Sequence, residues 1–412
     1  MKLAIRIAIR YLFAKKSQNI INVISWISVL CVMTSALALV VVLSVFNGLH
    51  VLMGSLYSTF DPDLKVEPVK SKVINLDDID LKRLSSIEGL NNYTVVVEDF
   101  ALFIFGKRQS VGQVLGVDSM FHHVSAIDSI IVDGMFRTKF NDFNEGVIGY
   151  ALADQLGVRL NFITPLTIQA PKRTGRVNIA RPDQSFKMEY LQPSGLFMVS
   201  QMEYDGSYVI INIEQAQRLF EYNPNEVNWI GIKLTDKTHS NKVKAEVAKL
   251  LGDNFTVKNQ EEQHDTFFKM MVVEKLMAYL ILTFILIIAI FNVVGTLSLL
   301  VFEKRDSIKT LRNMGADSTL ISRIFHFEGW FISLAGAITG IILGILLIWL
   351  QQTFGIVGFG SGGNYVVDAY PVALRWLDVL AVFITVSLIG LIAAWYPVKV
   401  LVKRYYDLQD DK

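Results

Sequence analysis

The residues best suited to chemistry form a short charged segment between two long apolar runs. It extends from Glu303 to Ala316, and charges of both signs surround Ile308 and Leu311, which lie three positions apart. This pattern predicts a short surface helix with one apolar stripe, and Gly315 predicts where that helix ends. Such a helix has no core of its own. It is therefore either a solvated connector or a surface that another protein grips.

The chain lacks the common motifs of catalysis and of cofactor binding. It contains neither a G-x-x-x-x-G-K-[ST] phosphate-binding loop nor a G-x-S-x-G nucleophile motif. The pair His122-His123 has no His-Glu-x-x-His helix and no cysteine partners, which favours a surface pair over a metal site. Cys31 is the single cysteine, so the chain forms no internal disulfide. These absences predict a non-catalytic protein without a metal or cofactor of its own.

The elements around the charged segment have the composition of membrane spans. Hydrophobic residues make up 52% of the 412 residues, and the mean hydropathy is +0.41, which is typical of an integral membrane protein. A helix needs about 20 apolar residues to cross the hydrocarbon core. Four runs without Asp, Glu, Lys or Arg meet or approach that length and predict four transmembrane helices, at residues 20–47, 276–302, 329–351 and 379–398.

The distribution of basic residues predicts the orientation of these spans. Basic residues are concentrated in residues 1–19, 303–328 and 399–412, whereas the connector 352–378 contains only Arg375. By the positive-inside rule, both termini and the 303–328 segment are cytoplasmic. Residues 1–19 then form an interfacial cytoplasmic helix. A cleaved signal peptide is the alternative, because Ala36-Leu37-Ala38 follows an apolar stretch, but the apolar run continues beyond it.

Residues 48–275 have the composition of a soluble domain. Charges occur throughout, and the runs 93–97 and 101–105 have the β-branched and aromatic content of strands. The predicted fold is therefore an α-helical membrane protein with four transmembrane helices and a large α+β exported domain between the first and second helices. Within the third span, Gly336, Gly340 and Gly344 repeat at intervals of four and predict a helix-packing face.

Motifs along nearly the whole chain resemble the type VII ABC transporter permeases, which include MacB, FtsX and the lipoprotein-releasing subunits LolC and LolE. The layout of one span, a large exported domain and three further spans is similar to this family. The motifs favour the LolC/LolE branch; they are Arg10-Tyr11-Leu12, 43–49, 116–118, 148–158, 291–294, 303–316 and Trp395-Tyr396-Pro397.

This resemblance implies roles for three groups of residues. The first group would couple the chain to a separate ATPase through Glu303, Lys304, Arg305, Asp306, Leu311, Arg312, Gly315 and Ala316. The second would line a cavity for the lipid anchor and contains Val45, Phe46, Asn47, Gly48 and Met53. The third would form a chaperone-binding hook in the basic segment 170–182, for which a solvated loop is the alternative, and contains Pro171, Lys172, Arg173 and Thr174.

The resemblance also implies the partners and the location of the chain. It implies a multi-pass subunit of the bacterial inner membrane, with a periplasmic exported domain. The partners would be a LolD-like cytoplasmic ATPase that carries ATP and Mg, a second permease copy or related subunit, and a LolA-like periplasmic chaperone. Lipoprotein cargo and membrane lipids would be bound, and nucleic acid would not. Two alternatives are an FtsX-like transmitter that activates a wall hydrolase and a membrane-anchored sensor without an ATPase.

Overall fold

The computed structural model describes residues 6–7, 19–141, 143–160, 164–173, 185–236, 239–358 and 369–410. Two compact units divide the chain. The membrane unit comprises Met1–Val51 and Lys269–Lys412, and the sheet unit comprises Leu52–Phe268. From residue 19 onward the helices are α1 (Asn19–Phe60), α2 (Leu81–Ser85), α3 (Phe121–Val124), α4 (Tyr150–Leu156), α5 (Met202–Asp205), α6 (Ile213–Phe220), α7 (Ser240–Leu251), α8 (Gln260–Gln263), α9 (Asp265–Glu303), α10 (Arg305–Asn313), α11 (Ser318–Phe354) and α12 (Trp376–Asp410).

Four of these helices, α1, α9, α11 and α12, are long and apolar enough to cross a membrane. They extend beyond the predicted spans. Helix α1 continues past residue 47 to Phe60 and ends before Pro62, because a proline disfavours helical geometry at the residue that precedes it. Helix α11 begins at Ser318, so Glu328, which the sequence placed in a loop, lies buried on this helix.

The membrane unit has an apolar core to which all four long helices contribute. Its fully buried side chains include Leu39 of α1, Val293 of α9, Ala337 of α11 and Val386 of α12. Small residues in this core allow the helices to approach each other closely. Because lipid tails are as apolar as the core, close packing of the helices supplies the energy of their association.

The sheet unit is built on one large mixed sheet. Its strands are β1 (Leu64–Pro68), β2 (Ile74–Asn75), β3 (Leu90–Phe105), β4 (Arg108–Val117), β5 (Ile131–Gly134), β6 (Lys139–Phe140), β7 (Phe143–Gly149), β8 (Leu166–Pro171), β9 (Phe186–Phe197), β10 (Tyr208–Asn212), β11 (Glu226–Val227), β12 (Trp229–Leu234) and β13 (Phe255–Asn259). The strand order is β13-β1-β12-β3-β4-β10-β7-β9-β5; β8 pairs with β3 and β9, β6 pairs with β7, and β2 with β11 forms a separate pair.

Alternation is visible in β3, one face of which belongs to the main core of the sheet unit. In β3, Ala101 and Phe103 are buried, whereas Phe100 is exposed, as expected when successive side chains point to opposite faces. Buried residues of α4 and α6, such as Leu152 and Leu219, belong to the same core. The predicted combination of four apolar helices with an α+β domain between the first and second is confirmed.

A polar cluster in the sheet unit joins the end of α1 to the residues just before α9. The Tyr204 hydroxyl donates to the Asp61 carboxylate at 2.8 Å, and His264 Nε2 lies 2.6 Å from an oxygen of the same carboxylate. The His264 ring also stacks on Tyr57 at 3.9 Å. Burial, followed by the charge of Asp61, raises the pKa of Tyr204, so its hydroxyl remains a proton donor.

Candidate functional site

The predicted coupling segment forms a separate helix with a well-defined end. Helix α10 follows Lys304, whose carbonyl accepts a hydrogen bond from the Ile308 N–H at 2.9 Å. At the other end, the Ala316 N–H donates to the Leu311 carbonyl at 3.0 Å, and the Gly315 N–H donates to the Arg312 carbonyl at 2.8 Å. This is a Schellman arrangement, which requires the left-handed conformation that Gly315 adopts with φ of 92°. The predicted helix stop is confirmed.

The apolar stripe of α10 packs against the protein's own membrane helices. Ile308 is 8% exposed and lies in a cluster with Val301 of α9, Phe325 of α11 and Val398 of α12. Leu311 is half-buried beside Ile324. The stripe therefore fixes α10 to the ends of three spans.

The opposite side of α10 is polar except for one large apolar side chain. The exposed residues are Arg305, Asp306, Lys309, Thr310, Asn313, Met314 and Gly315. Met314 is 79% exposed, among the most exposed large hydrophobic side chains described. Of the other predicted coupling residues, Glu303, Lys304, Leu311, Arg312 and Ala316 are half-buried.

Sequence reasoning did not select Lys309 or Met314. Spacing gave a misleading signal for Met314, because it lies three residues after Leu311 and so continues the apolar stripe by position. The helix ends at Asn313, and Met314 occupies the capping turn. This turn directs the chain away from the helical register, and the methionine side chain remains exposed.

The residues predicted to line a lipid cavity are divided between the two units. Val45 and Phe46 are half-buried in the membrane unit. Met53 belongs to the sheet unit, where its Sδ accepts a hydrogen bond from Gln201 Nε2 at 3.6 Å. Gly48 packs against the connector, since a Cβ at this position would lie 2.3 Å from the carbonyl oxygen of Pro371.

Asn47 lies in a polar contact of three membrane helices. It is 2% exposed, and its Nδ2 donates to Asp378 Oδ2 at 2.6 Å. Lys275 Nζ donates to Asn47 Oδ1 and to Asp378 Oδ2, each at 2.8 Å. No sequence pattern indicates this contact, because Lys275 and Asp378 lie at the ends of two different apolar runs.

The three predicted packing glycines all lie against α1. A Cβ at Gly336 would be 2.7 Å from Val32 Cβ, one at Gly340 would be 2.4 Å from the Met33 carbonyl oxygen, and one at Gly344 would be 3.1 Å from Val40 Cβ. The spacing of four therefore corresponds to one continuous contact between α11 and α1.

The first of the predicted hook residues lie in the sheet unit. Pro171 ends β8 and pairs with Phe186 of β9. Arg173 is held on the same unit, because its Nη1 donates to Glu226 Oε2 at 2.8 Å and its guanidinium lies over the ring of Tyr222. Thr174 and the rest of the predicted loop lie outside the described residues.

Nothing in the described part of the chain has the ligand set of a metal site. No group of three or more His, Cys, Asp or Glu side chains comes together there. The rings of His122 and His123 lie 3.9 Å apart, on the short helix α3.

Comparison with known proteins assigns the C-terminal part of the chain. Residues 279–405, which include α10, match the family described as FtsX-like permease C-terminal. The chain carries an FtsX-like permease domain. Across 94% of each chain, the protein is 26% identical to the lipoprotein-releasing system transmembrane protein LolE of Haemophilus influenzae. It is also 26% identical to the lipoprotein-releasing system transmembrane protein LolC of Neisseria meningitidis serogroup B, over 83% of this chain and 81% of that protein.

The protein is also similar to the solved periplasmic region of MacB from Actinobacillus actinomycetemcomitans. The match covers 50% of this chain and 91% of the MacB chain, at 9% identity and with a TM-score of 0.34. The predicted resemblance to the permease family is confirmed by the family match and the two relatives. The relatives are transmembrane proteins of lipoprotein-releasing systems by name.

Proposed function

We propose that this permease is the membrane subunit of an ABC transporter that extracts lipoproteins from the inner membrane and passes them to a periplasmic carrier. A separate cytoplasmic ATPase supplies the energy, and ATP and Mg are bound on that partner. The observation that carries the proposal is the mounting of α10. Its apolar stripe is fixed to the ends of α9, α11 and α12, while a polar face with one exposed methionine points outward.

This mounting suits the transmission of force. Ile308 is buried among residues of three spans, so displacement of α10 displaces the spans to which it is fixed. Protein interiors are close-packed and transmit such displacements with little compression. The exposed face carries Arg305, Asp306 and Lys309, which suit a polar groove on a partner.

The distribution of basic residues supports a cytoplasmic location of α10 and both termini and a periplasmic location of the sheet unit. A lipid-anchored cargo is then taken up at the outer leaflet and delivered to a LolA-like chaperone. A second copy of the chain or a related subunit completes the transporter. The relatives that share most of the chain's length are named for lipoprotein release, which supports this choice of cargo.

Substitution of Met314 tests the docking face. Burial of one methionine side chain contributes about 1.5–3 kcal/mol, so Met314→Asp is expected to weaken the complex with the ATPase by roughly 10- to 150-fold. The control is Met202→Asp, because Met202 is 75% exposed but lies on α5 of the sheet unit. The measurement is recovery of the ATPase with tagged permease in mild detergent. Equal recovery with the two variants would contradict the assignment of this face.

Depletion of the permease tests the cargo. Lipoproteins are expected to accumulate in the inner membrane as the permease is depleted. The family match also includes FtsX-like proteins, and a transmitter that activates a periplasmic wall hydrolase would leave lipoprotein delivery intact. Normal delivery together with a defect in cell-wall cleavage would replace the transport proposal with that one. Failure to recover any ATPase with the unaltered chain would contradict both.

A further inference from the structure

Three polar side chains from three different membrane helices meet in a closed arrangement. Asn47 belongs to α1, Lys275 to α9 and Asp378 to α12. Each of the three residues contacts the other two at 2.6–2.8 Å. We call this arrangement the clasp.

Asn47 fits the clasp only when both charged partners are in place. Its Oδ1 can only accept, and here it accepts from Lys275. Its Nδ2 can only donate, and here it donates to Asp378. Because Asn47 is 2% exposed, the loss of Lys275 leaves its buried Oδ1 without that bond, and the loss of Asp378 leaves Nδ2 with only the longer contact to the Ala373 carbonyl at 3.4 Å.

The clasp differs from the packing beneath it in how it responds to movement. The neighbouring core residues, such as Leu43 and Val382, are apolar, and their packing is non-directional. Hydrogen bonds weaken steeply as their geometry changes, so a small separation of the helices breaks the clasp as a unit. Lys275 and Asp378 keep about a quarter of their side-chain surface exposed, which allows solvent to replace their contacts when they part.

The connector before α12 contacts α1 close to Asn47. The Ala373 N–H donates to the Ser44 carbonyl at 2.9 Å, and Gly48 lies directly against Pro371. The segment that leads into α12 and the clasp residue Asp378 are therefore both attached to α1 within a few residues of each other. These contacts do not depend on the clasp, so after its release the connector still tethers the start of α12 to α1 and limits how far the two helices separate.

We propose that Asn47, Lys275 and Asp378 are positioning residues that form a releasable clasp, closed here and opened in each transport cycle. Its opening separates α1, α9 and α12 at their outer ends and admits a lipid-anchored cargo between them. This rests on the proposed function, since the orientation of the spans places the clasp at the periplasmic side.

An engineered metal lock tests whether the clasp must open. Asn47→His together with Lys275→His, with Asp378 retained, places two imidazoles and a carboxylate where three polar groups already meet, and such groups bind Zn²⁺ at about 2.0–2.2 Å. The assay uses the full permease with its ATPase in lipid vesicles that contain an acylated lipoprotein, with a LolA-like carrier outside. Release is measured without metal, with Zn²⁺, and after addition of EDTA.

The expected result in the double variant is a metal-free release that is lower than that of the unaltered permease, that Zn²⁺ abolishes and that EDTA restores to its metal-free level, while either single histidine variant is insensitive to Zn²⁺. Zinc content of the purified double variant is measured in parallel. Unchanged release by a preparation that has bound one zinc per permease would overturn the proposal, because a static strut tolerates being locked.

A charge exchange provides a second, independent test. Lys275→Met and Asp378→Asn each remove one charge, and both are expected to lower release without loss of ATPase recovery. Lys275→Asp combined with Asp378→Lys restores opposite charges in exchanged positions and is expected to recover release relative to either single change. No recovery, with the protein folded and bound to its ATPase, would count against the clasp. Absence of release by the unaltered permease would instead contradict the proposed function.

Discussion

Replacement of Tyr204 by phenylalanine is expected to destabilise the sheet unit through the loss of one hydroxyl. Tyr204 is 3% exposed, and its hydroxyl donates to the Asp61 carboxylate at 2.8 Å. The ring packs at 4.5 Å from Phe60 and 5.4 Å from Tyr208, and a phenylalanine ring retains these contacts. The substitution therefore removes only the polar contacts of the hydroxyl, which are the bond to Asp61 and a 3.2 Å contact with His264 Nε2.

The magnitude follows from the charge and the burial of the acceptor. A hydrogen bond to a charged group contributes about 1.5–3 kcal/mol to stability. Asp61 retains His264 at 2.6 Å, so its carboxylate is not left without a partner. We expect the free energy of unfolding of the sheet unit to fall by about 2 kcal/mol.

The assay is a urea titration of the full chain in detergent, with brief proteolysis to measure the folded fraction of residues 52–268. The control is Tyr150→Phe, because Tyr150 is 49% exposed on α4 and its hydroxyl removal is expected to change stability by less than about 0.5 kcal/mol. Equal urea midpoints for Tyr204→Phe and Tyr150→Phe, whether both are unchanged or both are lowered, would refute the inferred contribution of the Tyr204 hydroxyl.

Two further predictions concern packing and pH. Gly340→Ala is expected to lower stability by about 1–3 kcal/mol, because its Cβ would lie 2.4 Å from a carbonyl oxygen. The measurement is thermal unfolding of the detergent-solubilised chain. The control is Gly295→Ala, because a Cβ at Gly295 would meet no atom within 4 Å. Burial alone raises the pKa of Glu67, but Lys65 at 3.0 Å and Lys258 at 2.5 Å outweigh it and hold that pKa below 4.5. Stability of the sheet unit should therefore be lost as pH falls from 4.5 through the folded-state pKa. In Glu67→Gln, a smaller acid-induced loss is expected in urea titrations across this range, and an unchanged loss would contradict the role of this carboxylate.

Local pattern was sufficient wherever one segment determined the outcome by itself. The four spans follow from apolar runs of adequate length, because a helix makes its backbone hydrogen bonds within one segment, as the hydrocarbon core of a membrane requires. The end of α10 follows from Gly315, because only glycine adopts φ of 92° at low cost. The contact between α11 and α1 follows in part from the spacing of Gly336, Gly340 and Gly344, although the sequence did not name α1 as the partner.

Prediction was less complete where two distant segments had to meet. The resemblance implies that Leu311 couples to an ATPase, and the structure adds that it packs beside Ile324 of the same chain. The resemblance implies that Asn47 lines a lipid cavity, and the structure adds that it binds Lys275 and Asp378. In both cases the residue type was informative, but the surface that it faces depends on elements far away in sequence.

The amino-acid sequence alone determined the membrane class, the number of spans, the α+β domain between the first two, and a charged helix suited to docking. These properties depend on composition and on spacing within single segments. Tertiary structure alone decided which side of α10 is exposed, which places Met314 outward and Ile308 inward. It also decided that Asn47, Lys275 and Asp378 form one contact, because hydrogen bonds of 2.6–2.8 Å among α1, α9 and α12 require a packing arrangement that no single segment encodes.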